Sequence, residues 1–360
     1  MIGDLVGEGV RSDEVVGKTP NLAARLQALA KPHCMVVAPA TRRLIGDLFE
    51  TEDLGLHEFK GLPEPVRAYR VEAESSAVSR FEALCGARMT PLIGRDNEVR
   101  LLLDRWAHAS EGEGQIVLLS AEPGIGKSRI VRALRDSLAD RPHVSLSHYC
   151  SPFHANTVLH PVIEHLQRVL GLERDDSAET KLAKLEARLA PANRYPKDAV
   201  PLVASLLGVS IGDSHPPLDL KPQEQQRRTL ELLVERVEVL AAEQPVLVVY
   251  EDVQWADPST LQMLTLLIKQ VETLPVLVVI TSRPDFASPW AGYGHITQLS
   301  LTRLTRRHGG AVMQHVAGDK ALPAEVAEQI LTHADGVPLF IEELTKAVLE
   351  SGFLRDSGDR

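Results

Sequence analysis

The sequence predicts an α/β fold in which helices cover a parallel β-sheet, and two observations support this prediction. From Pro91 onward, short apolar segments alternate with amphipathic helical segments, and three of the apolar segments are nearly uniform. Uniform apolar runs are typical of parallel strands that are buried on both faces. A glycine-rich turn also joins the first apolar segment directly to a helical segment. The predicted strands span residues 116–119, 144–146, 246–250 and 276–280.

Composition limits the classes of protein that the chain can belong to. The 360 residues are 44% hydrophobic, carry a formal net charge of -10 and suffice for two or three domains. The acidic balance argues against a general nucleic-acid surface. The longest apolar stretch, residues 274–280, is too short to cross a bilayer, and the N-terminus lacks the basic start of a signal peptide. Cys34, Cys85 and Cys150 are scattered, as in a reducing compartment. We expect a cytoplasmic protein without a membrane partner or direct nucleic-acid contact.

The glycine-rich turn has the features of a phosphate-binding loop. Residues 121–128 read Ala-Glu-Pro-Gly-Ile-Gly-Lys-Ser, with Ala121 where the strict pattern has glycine. The two glycines let backbone N–H groups face a β-phosphate, and the following helix N-terminus completes an anion site. The lysine supplies charge to the β- and γ-phosphates, and the serine hydroxyl suits Mg²⁺. The alternative is an incidental glycine-rich turn. We expect ATP and Mg²⁺ to bind here, on Gly124, Ile125, Gly126, Lys127, Ser128 and Arg129.

Two carboxylates follow the predicted strand 246–250. Glu251 and Asp252 therefore stand at the carboxyl end of a parallel strand beside the loop, where Mg²⁺ and an attacking water need acidic groups. One carboxylate would hold the metal through water and the other would polarise the nucleophile, and the sequence leaves both assignments open. Without the loop, the pair would be an ordinary strand end. The predicted metal site consists of Ser128, Glu251 and Asp252.

Arg283 follows the predicted strand 276–280 after two polar residues. A guanidinium in this place could reach a γ-phosphate and respond to its hydrolysis. The alternative is a loop arginine in solvent.

Five motifs in order resemble those of the STAND class of AAA-related P-loop ATPases, over about residues 91–350. They are Leu-Ile-Gly-Arg-Asp at 92–96, the loop at 121–128, Tyr-Glu-Asp-Val-Gln-Trp-Ala-Asp at 250–257, Ile-Thr-Ser-Arg at 280–283 and Asp-Gly-Val-Pro-Leu-Phe-Ile-Glu-Glu at 335–343. The resemblance implies that Ile93 and Arg95 lie near the adenine, that Arg283 is the sensor arginine and that Pro338 packs on the base from a helical lid. It also implies a slow nucleotide-controlled switch, usually followed by a winged helix and a repeat array. Because the chain stops at Arg360, we expect a partial lid here.

The first part of the chain contains a second candidate site. Thr19 and Pro20 are predicted to cap and begin a helix that runs to about Ala30. Asn21 and Arg25 are four residues apart in this helix, so that both project from one face. An amide and a cation on one face could hold a ribose and a triphosphate. The alternative is a solvated helix face.

Residues 16–25 and 59–66 are similar to the C-terminal half of a class III nucleotide cyclase domain, over about residues 1–72. The similarity implies that Asn21 orients the substrate, that Arg25 stabilises the transition-state phosphate and that Lys60 contacts the base region. It also places Glu14 where purine selection occurs. The two metal-binding aspartates of that family would lie upstream of Met1. We therefore expect an incomplete cyclase domain without cyclase activity in this chain alone.

These inferences define four segments and a function. The segments are a truncated cyclase domain at 1–72, a polar small-residue linker at 73–90, a P-loop ATPase core at 91–300, and a helical lid with the start of a winged-helix region at 301–360. The predicted fold class is α/β, a three-layer P-loop NTPase with a parallel sheet and a helical extension, preceded by an incomplete α+β cyclase domain. We expect ATP binding with slow hydrolysis as a regulatory switch in cyclase-linked signalling, with partner proteins or self-association through both units. The alternatives are a fragment of an adenylate cyclase and a STAND-class transcription regulator.

Overall fold

The computed structural model describes ten stretches of the chain, which fall into two compact units, Met1–Met89 and Thr90–Arg360. No helix in these stretches is long and apolar enough to cross a membrane. The described residues are 2–3, 14–15, 18–59, 64–74, 90–173, 175–189, 195–212, 214–216, 218–290 and 292–350.

The first unit is an α+β arrangement built on antiparallel strands. One sheet has the strand order β3-β5-β4, and β1 and β2 form a separate antiparallel pair. Leu26, Val37 and Ala68 are buried in this unit. Its strands are β1 (Ile2–Gly3), β2 (Glu14–Val15), β3 (Met35–Val37), β4 (Phe49–His57) and β5 (Val66–Glu74), and its helices are α1 (Lys18–Gln27) and α2 (Pro39–Ile45).

The start of α1 corrects one prediction from the sequence. The helix begins at Lys18, so Thr19 lies within its first turn and is not the N-cap. Pro20 remains in the first turn, where a missing N–H breaks no intrahelical hydrogen bond. Helix ends are the least certain feature of a sequence pattern, because several polar residues in a row can each serve as a start.

The second unit contains a five-stranded parallel sheet with the order β10-β6-β9-β8-β7. All four predicted strands form. The fifth, β10, was not predicted, because Thr297, Gln298 and Ser300 interrupt its apolar residues at the exposed edge of the sheet. The strands are β6 (Gln115–Ser120), β7 (Val144–Tyr149), β8 (Val246–Glu251), β9 (Val276–Ser282) and β10 (Ile296–Ser300).

Helices cover both faces of this sheet and produce the predicted three layers. Alternate residues of β6 serve the two sides: Val117 and Leu119 pack with α3 and α4, whereas Ile116 and Leu118 belong to the core under α5 to α9. These helices are α3 (Asp96–Ser110), α4 (Lys127–Leu138), α5 (His160–Val169), α6 (Ala178–Leu189), α7 (Ala199–Leu207), α8 (Pro222–Ala241) and α9 (Pro258–Gln270).

Three further helices follow the sheet and share a small apolar core of Leu304, Val312, Ala334 and Ile341. They are α10 (Arg306–Ala317), α11 (Ala324–Ala334) and α12 (Pro338–Glu350). The expected helical extension beyond residue 301 is therefore present. Its final part, residues 351–360, lies outside the described residues.

Candidate functional site

The glycine-rich loop connects β6 to α4, which begins at Lys127. Gly124 and Gly126 adopt φ values of 81° and 106°, which favour glycine. A Cβ atom on Gly124 would also lie 3.0 Å from Val337 Cγ1 and 3.2 Å from Leu339 Cβ. The Leu339 N–H donates to the Gly124 carbonyl at 3.3 Å. The start of α12 thus rests against the loop.

Lys127 points back along the loop, and its side chain is buried. Its Nζ donates to the Ala121 carbonyl at 2.9 Å. Burial lowers the pKa of the Lys127 ammonium, the charges of Asp252 and Glu251 oppose this effect, and Arg283 adds to it. A phosphate bound at the loop would give this poorly solvated cation a strong ionic partner.

The acidic pair lies opposite the start of α4, although β9 separates β8 from β6 in the sheet. The Ser128 hydroxyl donates to Glu251 Oε2, and Glu251 is buried. Asp252 is half-buried and has a left-handed backbone with φ of 59°, while its N–H donates to Thr281 Oγ1 at 3.0 Å. This conformation is uncommon for residues other than glycine, although aspartate adopts it more readily than most.

The ends of β8 and β9 are also joined through a glutamine. Gln254 Nε2 donates to Asp252 Oδ1 at 3.1 Å, and Gln254 Oε1 accepts the Arg283 N–H at 3.1 Å. The Arg283 guanidinium carbon lies 5.3 Å from the ring centroid of Trp255, within range of a cation–π interaction. Asp252 and Arg283 were predicted from the sequence, whereas Gln254 and Trp255 were not. Gln254 and Trp255 both lie in the motif at 250–257, and this motif is the sequence feature that could have identified them.

A cleft lies beside the loop and brings the other predicted contacts together. Its wall includes the predicted residues Ile93, Arg95, Ile125, Gly126, Arg129 and Pro338. Arg95 is 4% exposed and donates to the Thr302 carbonyl at 2.5 Å and to Glu98 at 3.0 Å. Since Arg95 already has these protein partners, it contributes mainly the shape of the cleft.

Glu342 on α12 closes one side of the cleft and was not predicted. Its carboxylate accepts from Thr90 Oγ1 at 2.7 Å and from Arg129 Nη1 at 3.0 Å. Arg129 Nη2 is buried and has no hydrogen-bond partner among the described residues. The ion pair thus fixes one end of the Arg129 guanidinium beside the cleft. Glu342 lies in the motif at 335–343. The motif could have marked this residue as functional, but it does not indicate that its partners are Thr90 and Arg129.

The residues at the loop suit Mg²⁺ held together with a nucleotide. Ser128, Glu251 and Asp252 present only oxygen atoms, which Mg²⁺ prefers. In the described parts of the chain, no three His, Cys, Asp or Glu residues cluster as a metal site.

Two of the three contacts predicted in the first unit lie on α1. Asn21 and Arg25 lie four residues apart on α1, and both are exposed. Lys60 lies outside the described residues. The predicted nucleotide contact of these residues remains a prediction.

The parallel sheet, its phosphate-binding loop and the acidic strand end opposite it define a P-loop NTPase-like α/β fold. Residues 91–279, just over half of the chain, match the AAA ATPase domain. The chain belongs to this family, whose members bind nucleotide as ATPases.

Comparison with individual proteins finds one curated relative and several solved structures of lower identity. An uncharacterised protein of Rhizobium meliloti (strain 1021) is 30% identical over 346 residues, which are 96% of this chain and 33% of that protein. The chain thus spans about a third of the length of this curated relative. A variant of Thermotoga maritima RuvB is 16% identical with a TM-score of 0.39, covering 72% of this chain and 62% of that one. A Pyrococcus horikoshii STAND protein with a tetratricopeptide repeat sensor is 13% identical with a TM-score of 0.34, covering 70% and 30%.

Proposed function

We propose that this chain binds Mg-ATP at the loop 121–128, hydrolyses it slowly and acts as a nucleotide-controlled regulatory switch. The observation that carries the proposal is the contact between Ser128 and Glu251, which are 123 residues apart in the chain. It brings the hydroxyl of the loop and a carboxylate of another strand to one point. This is the arrangement that an Mg-triphosphate requires.

The environments of the two carboxylates support different roles. Glu251 is buried against the Ser128 hydroxyl and is suited to hold Mg²⁺ through water. Asp252 is half-buried and therefore remains more accessible to water, so it is suited to polarise the attacking water. Water would bond to the γ-phosphorus while the bond to the bridging oxygen breaks and its electron pair leaves with ADP. The water proton would pass to Asp252. Bound Mg²⁺ supplies neutralisation of charge on the β- and γ-phosphates.

The cleft supports binding of the base next to the loop. Ile93 and Pro338 both contribute apolar surface to its lining, and Arg129 lies beside them. Because Pro338 begins α12, a nucleotide in this cleft would contact both the sheet domain and the terminal helices. Such a shared contact is what lets nucleotide occupancy control the position of a helical element.

The link to cyclase signalling is part of the proposal and is supported by the motif similarity of residues 1–72. Exposed Asn21 and Arg25 on one face of α1 leave that surface open to a nucleotide. If this site binds, Lys127→Ala should retain one weak nucleotide site per chain, and adding Arg25→Ala should remove it. The alternative of a STAND-class transcription regulator would place DNA binding elsewhere, and the similarity of residues 1–72 to a cyclase domain favours signalling over it.

The decisive test of ATP binding is Lys127→Ala. Loss of a charge-assisted phosphate contact should reduce Mg-ATP affinity by roughly ten- to a hundredfold in calorimetry. The matched control is Lys269→Ala, which removes an exposed lysine from α9. Circular dichroism should show that both variants retain the parent's secondary structure. Equal affinity in Lys127→Ala and the parent would exclude the loop as the ATP site, and absence of phosphate release from the parent would exclude hydrolysis.

A further inference from the structure

Gln254 lies between the carboxyl ends of β8 and β9. It is half-buried in the short 3₁₀ turn Val253–Trp255 that follows β8. Both ends of its amide are used: the NH₂ group donates to Asp252 Oδ1 and the carbonyl oxygen accepts the Arg283 N–H, each at 3.1 Å. One side chain thus spans from the end of β8 to the end of β9.

Two other contacts join the same strand ends next to this amide. The Asp252 N–H donates to Thr281 Oγ1 on β9 at 3.0 Å, which joins the strand ends a second time. The Arg283 guanidinium lies over the ring of Trp255, the residue next to Gln254. The left-handed backbone of Asp252 is therefore held from both sides.

We propose that Gln254 is a positioning residue that sets the Asp252 carboxylate and Arg283 at a fixed separation, so that the water-activating group and the phosphate-sensing group are aligned together. This inference rests on the proposed ATPase function. The role requires an amide, because one atom must donate to a carboxylate while the other accepts from a backbone N–H. A carboxylate at this position could satisfy only Arg283, and it would repel Asp252.

Turnover and binding respond differently if Gln254 aligns groups that act on the γ-phosphate. Gln254→Ala should lower kcat for ATP hydrolysis by about tenfold, since both amide contacts are lost. The Kd for Mg-ADP should change by less than about twofold, because ADP has no γ-phosphate to align. The control Gln262→Ala removes an exposed glutamine from α9 and should leave both quantities unchanged.

A pH profile separates positioning from a merely structural role. In Gln254→Glu the new carboxyl group, once protonated, can again donate to Asp252. The ratio of its kcat to that of the parent should therefore rise as the pH falls from 7 to about 5, whereas the ratio for Gln254→Ala should stay flat. Trp255 emission provides a second readout: it should respond to ATP in the parent and respond less in Gln254→Ala. Trp255→Phe identifies the part of the signal that comes from this residue.

The outcomes distinguish this inference from the proposed function. If the parent releases no phosphate from ATP, the ATPase proposal fails, and the inference fails with it. If the parent hydrolyses ATP and Gln254→Ala keeps the parental kcat, the ATPase proposal stands and the positioning role is wrong. An equal loss of kcat in Gln254→Ala and Gln254→Glu at every pH would also overturn it. The predicted result is a kcat defect with unchanged ADP binding and acid rescue of the glutamate variant alone.

Discussion

At the scale of single residues, three titratable rings pack against one another in the core of the second unit. His148 on β7 is buried, stacks on Tyr250 at 4.3 Å between ring centroids and lies 4.7 Å from the ring of His165. Burial lowers the pKa of both histidines, and that of His165 falls to about 4, with Arg236 and Arg168 adding to the effect. Burial also raises the pKa of Tyr250 well above its usual value. These rings are therefore packed in their neutral forms at neutral pH.

Replacing His165 should alter how stability depends on pH. An unfolded histidine takes up a proton near pH 6.5, whereas folded His165 stays neutral down to about pH 4. The unfolded state thus binds more protons between these values, and the free energy of unfolding falls as pH falls through the window, by roughly 3 kcal/mol for a shift of this size. His165→Phe should flatten the curve between pH 6.5 and 4 in chemical denaturation. The control His315→Gln, which removes an exposed imidazole, should keep the parental slope. A parental slope in His165→Phe would contradict the burial of a neutral ring.

At the scale of elements, α12 is tied to the nucleotide cleft at two points. Its second residue, Leu339, donates to the Gly124 carbonyl, and Glu342, one turn later, bonds Arg129 of α4 and Thr90. The carboxylate of Glu342 and the guanidinium of Arg129 are 17% and 14% exposed. Removing one partner of a shielded pair leaves the other charge poorly solvated, which costs more than at an exposed pair. The helix is thus held over the loop by a small number of specific bonds.

Glu342→Gln should loosen this attachment. The neutral amide keeps the shape of the side chain but loses the charge-assisted bond to Arg129, so bound nucleotide should dissociate about fivefold faster. Chasing a fluorescent ADP analogue in a stopped-flow instrument measures this rate. Glu343→Gln, a neighbouring exposed change on the same helix, is the matched control and should leave the rate unchanged. Equal dissociation rates in all three proteins would show that α12 does not retain the nucleotide.

At the scale of the whole molecule, the chain consists of two units with separate sheets and separate buried residues. The described strands of the first unit pair only with one another, and those of the second unit form the parallel sheet. The loop, the acidic pair and the cleft all belong to Thr90–Arg360. Nucleotide binding should therefore stabilise this unit in particular.

Calorimetry of the intact chain should resolve two unfolding transitions. Mg-ATP at about a hundred times its Kd should stabilise the second unit by about 2.7 kcal/mol and raise only the transition of that unit. Lys127→Ala should show the same two transitions, and because its affinity is roughly ten- to a hundredfold lower, the same ATP concentration should stabilise the second unit by only about 0.4 to 1.4 kcal/mol. A single transition that moves as a whole would instead mean that the two units unfold together.

The local features of the loop could be predicted from the sequence alone. Residues 116–128 contain an apolar strand, two glycines with their required backbone freedom, and a lysine and serine at a helix start, all within one short segment. The placement of Glu251, Asp252 and Arg283 near the loop was predictable for a different reason. Parallel strands present their carboxyl ends at one edge of the sheet. The four buried strands were evident from their apolar runs. The start of α1 was misplaced, since adjacent polar residues offered more than one cap.

Which distant groups come into contact is evident from the folded structure and not from the sequence. The edge strand β10 is half-exposed and lacks an apolar run, so its pairing with β6 became evident only from the folded sheet. Gln254 reaches Arg283 across 29 residues, and Arg129 reaches Glu342 across 213. Such contacts depend on strand order and on how α12 packs against the loop. Periodicity records which face of an element is buried, whereas the partner across that face is selected by the packing of the whole domain.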